Sequence, residues 1–150
     1  MKTIPARVPA RRGGRISKSG FEALAHFRYR LRQFLRFSEE VTQANGITPL
    51  QYQLMLQIKG FPGRDWASVT ELAERLQSKH HGVVALVSRC ESLGLVRRHA
   101  SASDLRLVEV RLTPSGEECL DRLARLHRDE LETLQGLLTI SAASHANHGD

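Results

Sequence analysis

Residues 83–118 read VVALVSRCESLGLVRRHASASDLRLVEVRLTPSGEE, and the hydrophobic period changes in the middle of this stretch. Up to Leu93 the apolar residues recur at helical spacing, with Val83, Val87 and Cys90 on one side flanked by Leu86 and Leu93. Gly94 ends that helix. Beyond it the period becomes two: Leu95 to Ala100 is β-prone, Ser101 to Asp104 is turn-like, and Val108, Val110 and Leu112 alternate with Glu109 and Arg111. A helix therefore runs into a two-stranded hairpin. Thr113-Pro114 then caps a last long helix, whose stripe is Leu120, Leu123, Leu126 (or Ala124), Leu131 and Leu134.

Working upstream, Ser68-Val69-Thr70-Glu71 is a capping box that opens a short helix through Leu72, Ala73 and Leu76. Ser78 is placed to cap the next helix, from about Lys79 to Leu93. Two helices meeting at so tight a turn predict a helix-turn-helix. Residues 60–66 read as a loop, and Thr48-Pro49-Leu50-Gln51 opens the helix before it, with Leu50, Leu54, Met55 and Ile58 as its stripe. From Ser17 to Ala44, Phe21, Leu24, Phe27 (or Ala25), Leu31, Phe34 and Leu35 recur at spacings of three and four, until Asn45-Gly46 stops the helix. The first and last stripes are too extensive for one small lobe to cover. They are expected to meet a second copy of the chain.

The composition fits one domain built mainly on Leu, Val, Ile and Ala: 150 residues, 41% hydrophobic but only 5% aromatic. No apolar run approaches a membrane span, and no secretory segment follows Met1, so a cytoplasmic location with no membrane partner is expected. The net charge of +6 is unevenly placed. Residues 1–16 carry Lys2, Arg7, Arg11, Arg12 and Arg15 and no acid. Residues 75–111 hold Arg75, Lys79, Arg89, Arg97, Arg98, Arg106 and Arg111 against Glu91, Asp104 and Glu109, whereas residues 115–150 are acidic. Such polarity suits a polyanionic partner.

The helix over residues 78–93 carries Ser78, His81, Ala85, Ser88, Arg89 and Ser92 on the face opposite Val83. This face is small, polar, mildly basic and free of acid, which suits a major groove about 12 Å wide. Other chemistry is poorly supported. No helical His-x-x-x-His pair, phosphate-cradling glycine loop or nucleophile motif is present, so neither an enzyme nor a cofactor is expected. Adjacent His80 and His81 point about 100° apart and do not share a metal; His80 is expected nearer the core. Cys90 falls on the apolar face, where a free thiol packs as a small hydrophobe.

At this point the order of elements resembles the winged helix-turn-helix core of the multiple-antibiotic-resistance regulator (MarR) family. The motifs are TPLQYQLMLQI, VTELAERL, VVALVSRCESLGLVRR and DLRLVEVRLTPSGEE, in that order, and the likeness covers roughly residues 18–135. GLVRR followed by Asp-x-Arg and LTPSG is the most specific part.

The resemblance implies a mainly α fold with a small β-hairpin wing. Its parts would be an N-terminal dimerisation helix (17–46), a DNA-binding lobe (47–113) and a C-terminal dimerisation helix (114–140); outside the resemblance, two prolines and a glycine pair predict a flexible basic arm (1–16), and the lack of periodicity a frayed tail (141–150). The resemblance further implies a homodimeric, sequence-specific transcriptional regulator, a repressor relieved by a small aromatic effector, bound to a pseudo-palindromic double-stranded DNA. Carried over by position, 79–93 is the recognition helix and 95–113 the wing, in which Asp104 orients Arg106 toward the minor groove. The expected DNA-binding residues are Ser78, Lys79, His81, Ser88, Arg89, Arg98, Asp104 and Arg106. Leu105 departs from the family pattern, which commonly has another arginine there. Phe27, Tyr52 and Trp66 are candidate effector lining. Two alternatives stand beside this reading: an oxidant-responsive regulator working through Cys90 or Cys119, and a winged-helix module for protein contact.

Overall fold

The computed structural model describes residues 14–143. The basic arm before residue 14, the tail after residue 143, and the side chains of Leu131 and Leu134 lie outside the described parts. Among the described residues, five helices and three short strands follow in order: α1 (Lys18–Ala44), α2 (Pro49–Lys59), β1 (Trp66–Ala67), α3 (Val69–Arg75), α4 (His80–Ser92), β2 (Val96–Ala100), β3 (Val108–Leu112) and α5 (Pro114–Ala143).

Local chemistry sets most of the boundaries. The Ser17 hydroxyl accepts from the Gly20 N–H and starts α1, and Gly46, at φ +78°, turns the chain out of it. Both expected capping boxes form. The Gln51 N–H donates to Thr48 Oγ1 (3.2 Å) while the Thr48 N–H donates to Gln51 Oε1 (3.0 Å). Ser68 and Glu71 repeat the exchange at 3.2 and 2.8 Å. Ser78 does not cap α4. Its hydroxyl donates back to the Leu76 carbonyl (3.2 Å), and Lys79 occupies the cap position with no side-chain bond. The turn between α3 and α4 is closed instead by Gln77, at φ +51°.

The core gathers Leu54, Met55 and Ile58 of α2, Leu72 of α3, Val83, Leu86, Val87 and Cys90 of α4, and Val96, Val110 and Leu123 from the remaining elements. Leu50 and Leu93 were expected in their stripes but are exposed; each lies at an element end, where the apolar face has run past the core. His80 is exposed too, contrary to the expectation from its place on the helical wheel, because the first turn of α4 projects beyond the core.

The segment read as loop contributes a third strand. Trp66 and Ala67 pair antiparallel with Arg111 and Val110, giving the order β1-β3-β2. Ala67 is fully buried there. The Arg64 guanidinium lies 3.7 Å from the Trp66 ring and 4.1 Å from that of Phe61, and it pairs with Glu71 at the start of α3. Arg111 reaches Asp65 (3.3 Å) as well as Glu109 (2.7 Å). A two-residue strand carries too little periodicity to be read from sequence; these cation contacts hold it in place.

Candidate nucleic-acid interface

The turn, α4 and the β2–β3 hairpin present one surface. Lys79, His81, Ser88 and Arg89 are exposed along α4, and Ser78 is half-buried at its start. No acid occupies the first turn of α4, so the positive end of the helix dipole is left uncompensated beside Lys79, His80 and His81. The one acid at the other end, Glu91, is met by Arg98.

The hairpin loop is organised from its own residues. The buried Ser101 hydroxyl accepts from the Ser103 and Asp104 N–H groups at 3.3 and 3.4 Å. Asp104 in turn accepts from the Arg106 N–H at 3.0 Å, an Asx-type turn. Its Oδ1 lies 3.6 Å from Arg106 Nε, longer than a hydrogen bond, so the carboxylate steers the guanidinium by charge rather than by a bond. The Arg106 side chain is 95% exposed and projects into solvent.

Ser88 and Arg98 meet each other. Arg98 Nη2 donates to Ser88 Oγ (3.0 Å) and to the Val84 carbonyl (3.2 Å), and the Ser88 hydroxyl itself donates to that carbonyl (3.0 Å). Arg98 is thereby turned onto α4, whereas Arg106 is not.

The LTPSG segment is structural. Thr113 Oγ1 accepts from the Gly116 N–H (3.0 Å) and its hydroxyl donates to the Gly94 carbonyl, while the Thr113 N–H donates to the Leu95 carbonyl (3.0 Å). A Cβ on Gly116 would overlap Leu95. This seam locks the end of α4, the start of the hairpin and the start of α5 together.

A second feature escaped sequence reading. His127 of α5 is buried, with Nε2 3.0 Å from Ser38 Oγ of α1 and Nδ1 2.7 Å from the Leu123 carbonyl, and its ring stacks on Tyr52 of α2 at 4.5 Å. Phe34 and Phe37 meet the same ring edge-on. A cleft of about 370 Å³ opens beside it, lined by Phe34, Tyr52, Leu56, Ala124 and His127 with Asp121, Arg125 and Arg128. Burial raises the Tyr52 hydroxyl pKa. Of the three aromatics expected to line an effector site, only Tyr52 is here. Phe27 lies outside the cleft lining, and Trp66 is held by Arg64 at β1.

Cys90 is fully buried and Cys119 nearly so. Burial pushes the Cys90 thiol up to about 11, away from the thiolate that oxidant chemistry requires. Among the described residues no cluster of three or more His, Cys, Asp or Glu could hold a metal, and no helix is long and apolar enough to cross a membrane.

Residues 45–107 match the MarR family. A protein of Thauera aromatica, described as a candidate transcriptional regulatory protein for the hcr operon, is 31% identical over 117 residues, covering 70% of this chain and 69% of that protein. The chain belongs to the MarR family. Two solved MarR-family regulators of Streptomyces coelicolor share the fold. AbsC matches with a TM-score of 0.66 at 20% identity, over 90% of this chain and all of that one. Sco3205, solved in complex with DNA, also gives 0.66, at 22% identity over 88% of this chain and 91% of that one.

Proposed function

We propose that this MarR-family protein is a cytoplasmic, sequence-specific DNA-binding transcriptional regulator. It acts as a homodimer on a pseudo-palindromic duplex, and as a repressor released by a small effector. One observation carries the reading: an α4 face with Lys79, His81 and Arg89 exposed stands beside a hairpin that extends a single 95%-exposed arginine, Arg106, steered by Asp104. α4 would read the major groove, and Arg106 would enter the minor groove, where a narrow groove's negative potential favours a guanidinium. Ser78 belongs to the same contact face, and Ser88 and Arg98 support it. That one structural relative was solved in complex with DNA supports DNA binding as such.

The dimer reading rests on α1. Phe21, Leu24 and Leu35 are 58%, 54% and 52% exposed along one helix, more apolar surface than a free helix face normally shows. Residues 17–46 and 114–140 are the proposed dimerisation helices, with residues 47–113 between them as the DNA-binding lobe. The cleft beside His127 lies among α1, α2 and α5; its aromatic walls and Arg128 suit a small aromatic anion, Arg125 being paired with Asp121 in the same lining (2.6 Å).

The test is a titration at fixed salt, using a duplex selected from a random-sequence library by retention on the protein. Arg106→Ala is expected to lose about 1–3 kcal/mol of affinity, with the melting temperature unchanged. Aromatic carboxylates added to the same titration should release the duplex. Parent-like affinity in Arg106→Ala would refute the wing mechanism, and a parent that retains no duplex would refute DNA binding itself.

A further inference from the structure

The hairpin leaves the lobe with little support. β1 pairs with β3 only at Val110 and Arg111, so beyond that point β2 and β3 form a bare two-stranded ribbon, a unit that is marginal by itself. Arg98 sits at this boundary, opposite Val110 in the register. Its backbone N–H donates to Glu91 Oε2 (3.0 Å), and its Nη1 lies 3.5 Å from the same oxygen. With the Nη2 bonds to Val84 and Ser88, one arginine joins the root of the ribbon to three successive turns of α4.

Resting on the DNA-binding reading above, we propose that Arg98 is a positioning residue: a strut that sets the angle between wing and recognition helix, so that Arg106 arrives in register with α4. Leverage makes this angle matter. β2 runs two residues beyond Arg98, to Ala100, about 7 Å of strand at the usual rise, and the loop of residues 101–107 extends the lever past that point. A 10° swing at the root therefore moves the strand end by about 1 Å and the loop tip by more, against a minor groove about 6 Å wide. The reverse role, a direct phosphate contact, would fall to Nε and Nη1, because Nη2 is committed to Val84 and Ser88, and it would draw the charge of Nη1 away from Glu91 in front of a polyanion.

A double-mutant cycle separates the two roles, using the selected duplex and full-length protein. If Arg98 positions the wing, Arg106→Ala weakens binding by about tenfold or more in the parent but by only about twofold in Arg98→Met, because a swinging wing no longer delivers the arginine. Glu91→Gln should show the same coupling more weakly; it raises the net charge by one, so the coupling with Arg106→Ala, and not the affinity of the single variant, is what it reads. If Arg98 instead contacts phosphate, its loss adds to that of Arg106 and lowers the salt slope by about one; additivity of that kind overturns the strut.

Amide hydrogen exchange tests the strut without DNA, so it stands or falls separately from the DNA reading. In Arg98→Met the amides of residues 98–100 should exchange at least about tenfold faster while those of α4 keep their parent rates. Unchanged exchange at those amides overturns the proposal, even for a parent that binds no duplex.

Discussion

Gly116→Ala sets two rules against each other. Helix propensity alone favours the change, since alanine gains about 0.8–1.0 kcal/mol over glycine in a helix interior. The structure predicts the opposite sign. The new Cβ would overlap the Leu95 carbonyl group, standing 2.9 Å from its carbon and 3.2 Å from Leu95 Cα, where carbon atoms normally rest about 3.5–4.0 Å apart. The obstacle is backbone at the root of the wing, so relief means moving α5 away from β2. That movement strains the bonds from Gly116 to Thr113, from Thr113 to Gly94 and from Thr113 to Leu95. Overpacking costs about 1–3 kcal/mol and each weakened bond up to about 1 kcal/mol, so the net expectation is about 2–4 kcal/mol of destabilisation. For a chain of this size that lowers the melting temperature by roughly 5–15 °C. Calorimetry at matched protein concentration measures it, because a dimer's transition depends on concentration. Gly82→Ala is the control: its Cβ meets nothing within 4 Å, so it should gain up to about 1 kcal/mol. A Gly116→Ala protein melting at or above the parent would refute the packing argument for LTPSG.

Two further expectations concern the helix surface and the thiol. Leu24→Glu puts a charge into the exposed α1 stripe, twice in the proposed dimer, so sedimentation should show that dimer dissociating at least about tenfold more readily; a parent that is already a folded monomer at micromolar concentration would remove the dimer from the proposal. Cys90, raised from 9.0 to about 11 by burial, favours the native state while it is protonated. That contribution is complete below about pH 9 and is lost as the pH rises through about 11, a change of about 2–3 kcal/mol. Iodoacetamide should leave Cys90 unmodified at pH 7.5 until the protein unfolds, and rapid native-state alkylation there would revive the oxidant-sensing alternative.

What the sequence disclosed and what it withheld divide by the separation of partners along the chain. The Thr48–Gln51 and Ser68–Glu71 boxes and the Gly46 turn are local devices whose partners lie within a few residues, so a pattern of residue types was enough to place them. The strand at Trp66–Ala67 depends on Arg111 reaching Asp65, 46 residues away. The His127 cluster depends on Ser38, 89 residues away. No periodicity encodes either pairing, and both concern polar or cationic groups that a hydrophobic stripe argument passes over. Ser88 and Arg98 lie between these cases. Helical and strand periods put both on the surface shared by α4 and the wing, and the basic balance there made each look like a DNA contact. Periodicity names the face a side chain occupies but not the partners it already has within the chain. Arg106, next to a single carboxylate at 3.6 Å, keeps its guanidinium free for a ligand, whereas Arg98 has donated to Val84 and Ser88 within its own chain. Two arginines eight residues apart on the same hairpin thus end differently, one at solvent and the other at α4.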